Sequence, residues 1–227
     1  QIAYGCHPKA AVRATEYQDT QEGSSCLVSF PEGEKELRLP LPGRFNVSNA
    51  LAALAAAKAV GLDPLWATQT LSRLPPIPGR LEQVPVDQGP RVFVDYAHTP
   101  DALDCVLRTL RTSTSGRLWV VFGCGGNRDR TKRPLMGAIA AHQADEVIIT
   151  TDNPRTEDPV RIAADIVADL PPGVPRHCHL DRAEAIRHAL RHAAASDTVL
   201  IAGKGHETYQ EFADKIQPFD DRAVARD

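Results

Sequence analysis

Four short polar stretches hold most of the chain's potential chemistry: Asp95-Tyr-Ala-His-Thr-Pro100, Gly123-Cys-Gly-Gly-Asn-Arg-Asp-Arg130, Asp152-Asn-Pro-Arg155 and Gly203-Lys-Gly-His-Glu207. Arg128 and Arg155 offer planar forks that match carboxylates or phosphates. Glu207 offers the opposite charge, suited to an ammonium. Asn153 adds an amide, and Gly203 and Gly205 let a backbone come close. Pro154 fixes φ and lowers the cost of holding Arg155 ready. Two arginines, an amide and a carboxylate suit a zwitterion, an amino acid carrying an extra negative group.

Other chemistries are less well served. Gly123-Cys-Gly-Gly-Asn-Arg128 is not the G-x-G-x-x-G fingerprint, and no acidic residue follows in ribose register. No G-x-x-x-x-G-K-S/T phosphate loop occurs anywhere in the chain, so the usual cradle for ATP phosphates is missing from it. Cys124 lies in a glycine-rich loop, but nothing nearby marks it as a nucleophile. No metal site is expected. His177 and His179 sit on a strand without partners, and His188 and His192, four apart on a helix, lack a third ligand.

The elements that position these stretches follow from periodicity and punctuation. Arg91–Asp95, Leu118–Phe122, Glu146–Thr150, Arg176–Leu180 and Thr198–Ala202 read as strands. Helices begin at Thr99-Pro100, near Lys132, at Asp158-Pro159 and at Asp181, each opening except that near Lys132 showing a capping residue. Strand and helix therefore alternate, which predicts a mainly parallel sheet with helices on both faces. The four polar stretches each follow the carboxyl end of a strand, where open parallel sheets bind ligands.

Leu74-Pro-Pro-Ile-Pro-Gly-Arg80 packs three prolines and a glycine into seven residues and reads as a linker. Upstream, Ser25–Phe30 and Glu36–Leu39 flank Pro31-Glu-Gly33 as a hairpin, Asn46–Val60 reads as a helix, and Asp63-Pro64 starts another. These elements make too small a core to stand alone. The expected division is 1–76 and 77–227, the first part being the tail end of a domain.

Whole-chain properties set the limits. The 227 residues carry a net charge of -3, with 42% hydrophobic and 24% charged residues. Dispersed basic residues and few aromatics argue against nucleic acid. Apolar runs are too short for a membrane span, and Gln1–Gly5 has no signal-peptide character. The opening lacks Met and begins mid-strand in character, so a piece of a longer chain is expected. Five cysteines without a C-x-x-C pair suit reduced thiols and a cytoplasmic setting.

Taken in order and spacing, Tyr96-Ala-His-Thr-Pro100, Gly123–Asp129, Asp152-Asn-Pro-Arg155 and Gly203–Glu207 resemble the Mur ligases, and Gly43-Arg-Phe-Asn-Val-Ser-Asn-Ala50 and Pro78-Gly-Arg80 match the same family. Asp152-Asn-Pro-Arg155 resembles the branch that adds meso-diaminopimelate. The resemblance implies an ATP-dependent amide ligase of peptidoglycan synthesis acting on UDP-N-acetylmuramoyl-L-alanyl-D-glutamate through an acyl phosphate. It implies a Rossmann-like C-terminal domain preceded by the tail of a P-loop-type α/β central domain.

By the same resemblance, Arg128, Asp152, Asn153, Pro154, Arg155, Gly203 and Glu207 bind meso-diaminopimelate. Asn49, Arg80, Asp95, Tyr96 and His98 contact ATP, with Asn49 reading adenine and Asp95 the ribose. His98 faces phosphate or metal, or simply enters its helix. Mg2+ belongs mainly to the missing part of the central domain, no catalytic residue falls in this chain, and a monomer inactive by itself is expected. A lysine-adding or folylpolyglutamate-synthase-like ligase, and an amino-acid-binding module without catalysis, remain alternatives.

Overall fold

The structure, a computed structural model, describes residues 1–20, 23–168, 170 and 176–227. The chain divides into two compact units, Gln1–Pro76 and Ile77–Asp227.

The first unit is a four-stranded sheet with two helices. β1 (Tyr4–Gly5) runs parallel to β2 (Val12–Thr20), and β3 (Gly23–Phe30) and β4 (Gly33–Leu39) continue the sheet antiparallel in sequence order. β2 escapes sequence reading because a bulge interrupts it. The register shifts between Thr15 and Gln18, and Glu16 takes a φ of 55°. α1 (Arg44–Ala59) buries Val47, Ala50, Leu51, Leu54 and Ala55, the spacing of one helical face. That face meets Cys26, Val28 and Phe30 of β3 and Leu37 and Leu39 of β4, which alternate toward the core. α2 (Pro64–Leu71) starts as its cap-then-proline sequence predicts, with the Asp63 carboxylate accepting from the Leu65 and Trp66 amides.

The second unit holds β5 (Glu82–Val84), β6 (Arg91–Asp95), α3 (Pro100–Ser113), β7 (Leu118–Phe122), α4 (Lys132–Gln143), β8 (Glu146–Ile149), α5 (Pro159–Val167), β9 (Arg176–Cys178), α6 (Arg182–His192) and β10 (Thr198–Ala202). A short hairpin, β11 (Tyr209–Glu211) with β12 (Ile216–Pro218), and α7 (Asp221–Arg226) follow. The sheet order is β5-β6-β10-β7-β8-β9. All neighbours pair parallel except β5, which runs antiparallel on the edge. The expected mainly parallel α/β sheet is therefore present.

Each strand sends alternate side chains to opposite faces. Val92, Val94, Trp119, Val121, Ile148, Val199 and Ile201 pack with Ala185, Ile186 and Ala189 of α6 and Ala225 of α7. On the other face α3, α4 and α5 lie side by side in succession, with Leu103, Val106, Leu107 and Leu110 of α3 buried. The chain moves outward from β6 to β7, β8 and β9, then returns to place β10 between β6 and β7. That reversal opens a crevice at the carboxyl ends of the central strands.

Two expectations need correction. The strand after α5 ends at Cys178 rather than Leu180, its last bond to β8 running from the His179 amide to the Ile149 carbonyl. The histidines thought to lack partners do not. His177 and His179 are two apart on an extended segment and so share a face, and α6 brings His188 to 4.6 Å, between ring centroids, from each of them.

Candidate functional site

The loops after β6, β7, β8 and β10 converge on a cavity of about 630 Å³. Arg128, Asp152, Asn153, Arg155, Gly203 and Glu207 line it, together with Tyr96 and His98.

The loops are held by packing that tolerates no extra atom. A Cβ on Gly123 would stand 2.1 Å from the Thr150 carbonyl oxygen, and one on Gly126 would stand 1.9 Å from that of Pro154. The Gly126 amide donates to the Asn153 carbonyl at 2.9 Å. Behind these loops the buried Arg133 guanidinium donates to both oxygens of Glu157, at 3.0 and 3.1 Å, to Asp165 at 2.8 Å and to the Gly125 carbonyl at 3.2 Å. Its hydrogen bond holds the Glu157 carboxyl below its ordinary range. The Asn127 side chain accepts from the Thr156 amide and hydroxyl, closing the same seam.

The clasp itself is built on strain and cross-bracing. Pro154 is buried behind the cavity wall, and Arg155 takes a left-handed φ of 53°. Arg155 forms a bridge with Phe212, and its amide donates to the Glu211 carbonyl. Its Nη1 donates to the Gly126 carbonyl at 2.8 Å, and its Nε lies 2.8 Å from Glu211 Oε2. Arg128 is exposed and pairs with no other described residue. Asn153 is not a free ligand contact. Its Oδ1 accepts from Lys204 Nζ at 2.9 Å and the Glu211 amide at 3.1 Å, while its Nδ2 donates to Glu207 Oε2 at 3.0 Å.

Lys204 is the residue that sequence reasoning missed. It is fully buried, with Nζ 3.0 Å from Glu207 Oε2 and 3.7 Å from Asp152 Oδ1. It supplies the countercharge that lets two carboxylates face one cavity. Burial raises the Asp152 pKa, against the lowering pull of Arg182 and Lys204. A Cβ on Gly203 would fall 2.7 Å from Asp152 Oδ2, so glycine is needed where β10 ends. The floor is fixed by Arg182, whose Nε and Nη2 each lie 2.7 Å from an Asp221 oxygen, and whose Nη2 also donates to the Ala202 carbonyl. Gln210 donates to the Thr151 and Asp152 carbonyls, docking β11 onto the same segment.

At the end of β6 the Pro78-Gly-Arg80 turn hooks onto the sheet. Asp95 is buried and gives one oxygen to the Leu81 amide and the other to the Ala97 amide, each at 2.7 Å. Burial raises its pKa while those two amides and Arg80 oppose the shift. Asp95 thereby pins the turn before β5 to the end of β6. That link places the Arg80 guanidinium 5.1 Å above the Tyr96 ring. His98 Nδ1 lies 2.8 Å from the Tyr96 carbonyl, and Lys132 Nζ donates to the His98 carbonyl at 2.7 Å. Asn49 belongs to the first unit, exposed on α1. Cys124 is buried against Met136, and burial pushes its thiol up to about 12, which removes it as a nucleophile.

The family model for the Mur ligase, glutamate ligase domain matches residues 79–205, more than half of the chain. The chain belongs to the Mur ligase family. The Mur ligase middle domain matches residues 1–57 of the same chain. A UDP-N-acetylmuramoyl-L-alanyl-D-glutamate–2,6-diaminopimelate ligase of Thermosynechococcus vestitus is 49% identical over 225 residues, covering 98% of this chain and 45% of the relative. One of the same name from Synechocystis is 51% identical over 214 residues, covering 93% of this chain and 42% of the relative. A solved structure of a ligase so named superposes with a TM-score of 0.69 at 42% identity, covering 99% of this chain and 46% of the other. This Mur ligase chain therefore spans less than half the length of these relatives. The Rossmann-like second unit and its site are its own, whatever the longer relatives carry besides.

Proposed function

We propose that this chain is the amino-acid-receiving part of an ATP-dependent ligase. The ligase adds meso-diaminopimelate to the D-glutamate of UDP-N-acetylmuramoyl-L-alanyl-D-glutamate. The observation that carries the reading is one cavity that holds arginine forks, from Arg128 and Arg155, together with the Glu207 carboxylate. Diaminopimelate is a lysine with a second carboxylate on its far carbon. Arg128 and Arg155 pair with that carboxylate, and Glu207 Oε1, which has no partner among the described residues, accepts from the ammonium beside it. Asn153 and Lys204 grip the other Glu207 oxygen and so aim the free one. Arg155 keeps Glu211 and the Gly126 carbonyl as partners when the cavity is empty, so the preference over lysine rests on the extra charge-assisted bonds that the second carboxylate makes to the remaining donors of Arg155 and to Arg128.

The first unit is read as the end of the central domain. ATP supplies the phosphoryl group that activates the glutamate carboxylate, and the attacking amine then releases phosphate as the amide forms. Arg80 stacked on Tyr96, with His98 and Lys132 beside the cavity, fits an adenosine phosphate. No residue of this chain is assigned to magnesium. Among the described residues no helix is long and apolar enough to cross a membrane, and we place the reaction in the cytoplasm, where nucleotide-linked precursors and ATP are supplied.

Saturation-transfer NMR on the 227-residue chain tests the amino-acid assignment, since it registers millimolar affinity. The reading expects saturation of meso-diaminopimelate and little of L-lysine at equal concentration. Equal saturation of the two would contradict it.

A further inference from the structure

Four of the chain's eight histidines, His177, His179, His188 and His192, gather where β9 meets α6. None of them lines the cavity described above. One imidazole nitrogen from each of His177, His179 and His188 falls within 4.8 Å of the other two. We propose that these three side chains bind a divalent transition-metal ion of the zinc and nickel class, with a water completing the coordination.

The chemistry of the donors selects this class. Three neutral imidazoles suit zinc, nickel and copper rather than calcium or magnesium, which take oxygen ligands. Tetrahedral zinc at its usual nitrogen distance places ligand atoms about 3.3 Å apart. The rings are exposed or half-buried, so rotation about their side-chain bonds closes the gap without moving backbone. His188 sits in the middle of the group. Its ring centroid lies 4.6 Å from those of His177 and His179 and 4.2 Å from that of His192.

The surroundings add a charge that suits a cation. Glu146 Oε2 lies 4.0 Å from His177 Nε2, and Arg117 holds the other Glu146 oxygen at 2.9 Å. At that distance the nearly buried carboxylate makes no hydrogen bond to the ring and favours a bound cation by its charge. His192 Nδ1 lies 2.8 Å from the His188 carbonyl, which stacks its ring 4.2 Å from that of His188 as a wall. A bound ion would tie the three-residue edge strand β9 to α6, an edge that among the described residues pairs with β8 alone.

Isothermal titration of the 227-residue chain with Zn2+ and Ni2+, alongside imidazole proton NMR, tests the assignment. One ion per chain is expected, with the His177, His179 and His188 resonances moving first and the melting temperature rising. The double variant His179→Gln, His188→Gln should bind at least about tenfold more weakly and lose the thermal shift, whereas Cys178→Ser should change neither. Absence of saturable binding, shifts at other histidines instead, or affinity lost in Cys178→Ser and kept in the double variant would each overturn it.

Discussion

Lys204 Nζ lies 3.0 Å from Glu207 Oε2 while the lysine side chain has no exposure to solvent at all. The ammonium therefore cannot be serving as a mobile surface charge. It is a fixed countercharge beneath the cavity, and it divides the work of Glu207 between its two oxygens. Oε2 belongs to the protein, and Oε1, with no partner among the described residues, belongs to whatever enters.

Removing that ammonium should be costly. Lys204→Met takes the ammonium away from Glu207 and leaves Arg182 as the remaining cation acting on Asp152, and loss of one member of a buried ion pair costs about 3–5 kcal/mol. Urea denaturation should show a loss of that size. A loss under about 1 kcal/mol would mean the carboxylates are hydrated or protonated in the fold.

Gly126→Ala should disturb the clasp through backbone alone. The added methyl would stand 1.9 Å from the Pro154 oxygen and 2.7 Å from its carbon, and neither can rotate away. The expected result is a destabilisation of about 1–3 kcal/mol, with weakened meso-diaminopimelate binding and unchanged far-UV circular dichroism. Wild-type affinity in this variant would mean that the Asn153–Arg155 segment is not held by the Gly125–Gly126 loop.

The acid limb of stability should report on Asp197. Burial would raise its pKa, but the Arg117 and Ala194 amides and the Trp119 indole donate to its carboxylate and lower it overall. A depressed folded-state pKa stabilises above the unfolded value, and that stability is lost as pH falls through the folded value. Asp197→Asn should therefore be less stable than wild type near pH ~7, and the gap should narrow below about pH 4. Urea midpoints measured across that range check it. A gap that stays constant would remove the carboxylate's charge from the account.

The 227-residue chain should form no ADP by itself when given ATP and meso-diaminopimelate, because it contains no phosphate loop of the usual type. A coupled assay for ADP decides this. Diaminopimelate-dependent turnover would place the phosphoryl-transfer residues within these residues after all.

Local signals were the legible part of this chain. Thr99-Pro100, Asp158-Pro159 and Asp63-Pro64 open helices as written, because capping and the missing proline amide act within one turn. Strands β6, β7 and β10 fall on their apolar runs since both faces are covered. The rim of the site was legible for the same reason, as each polar stretch follows a buried strand. Interactions between distant residues were not legible. Lys204 with Asn153, Arg133 with Glu157, and Arg182 with Asp221 join residues 24 to 51 positions apart, and only the folded sheet brings them together. The Asp95 carboxylate looked free in the sequence and is occupied in the fold by amides that no motif announces. The histidine group was not legible because His188, the third ring, comes from α6 and only the fold brings it to His177 and His179.

On the proposed reading, the Arg155 fork and Glu207 together select an amino acid with a zwitterionic far end. The most direct test is the ratio of L-lysine to meso-diaminopimelate dissociation constants in wild type and in Arg155→Ala, measured by ligand-detected NMR titration. Strong preference for meso-diaminopimelate is expected in wild type, falling by about 10-fold or more in the variant as the ligand's carboxylate loses a charge-assisted partner. A ratio unchanged by the substitution would contradict it.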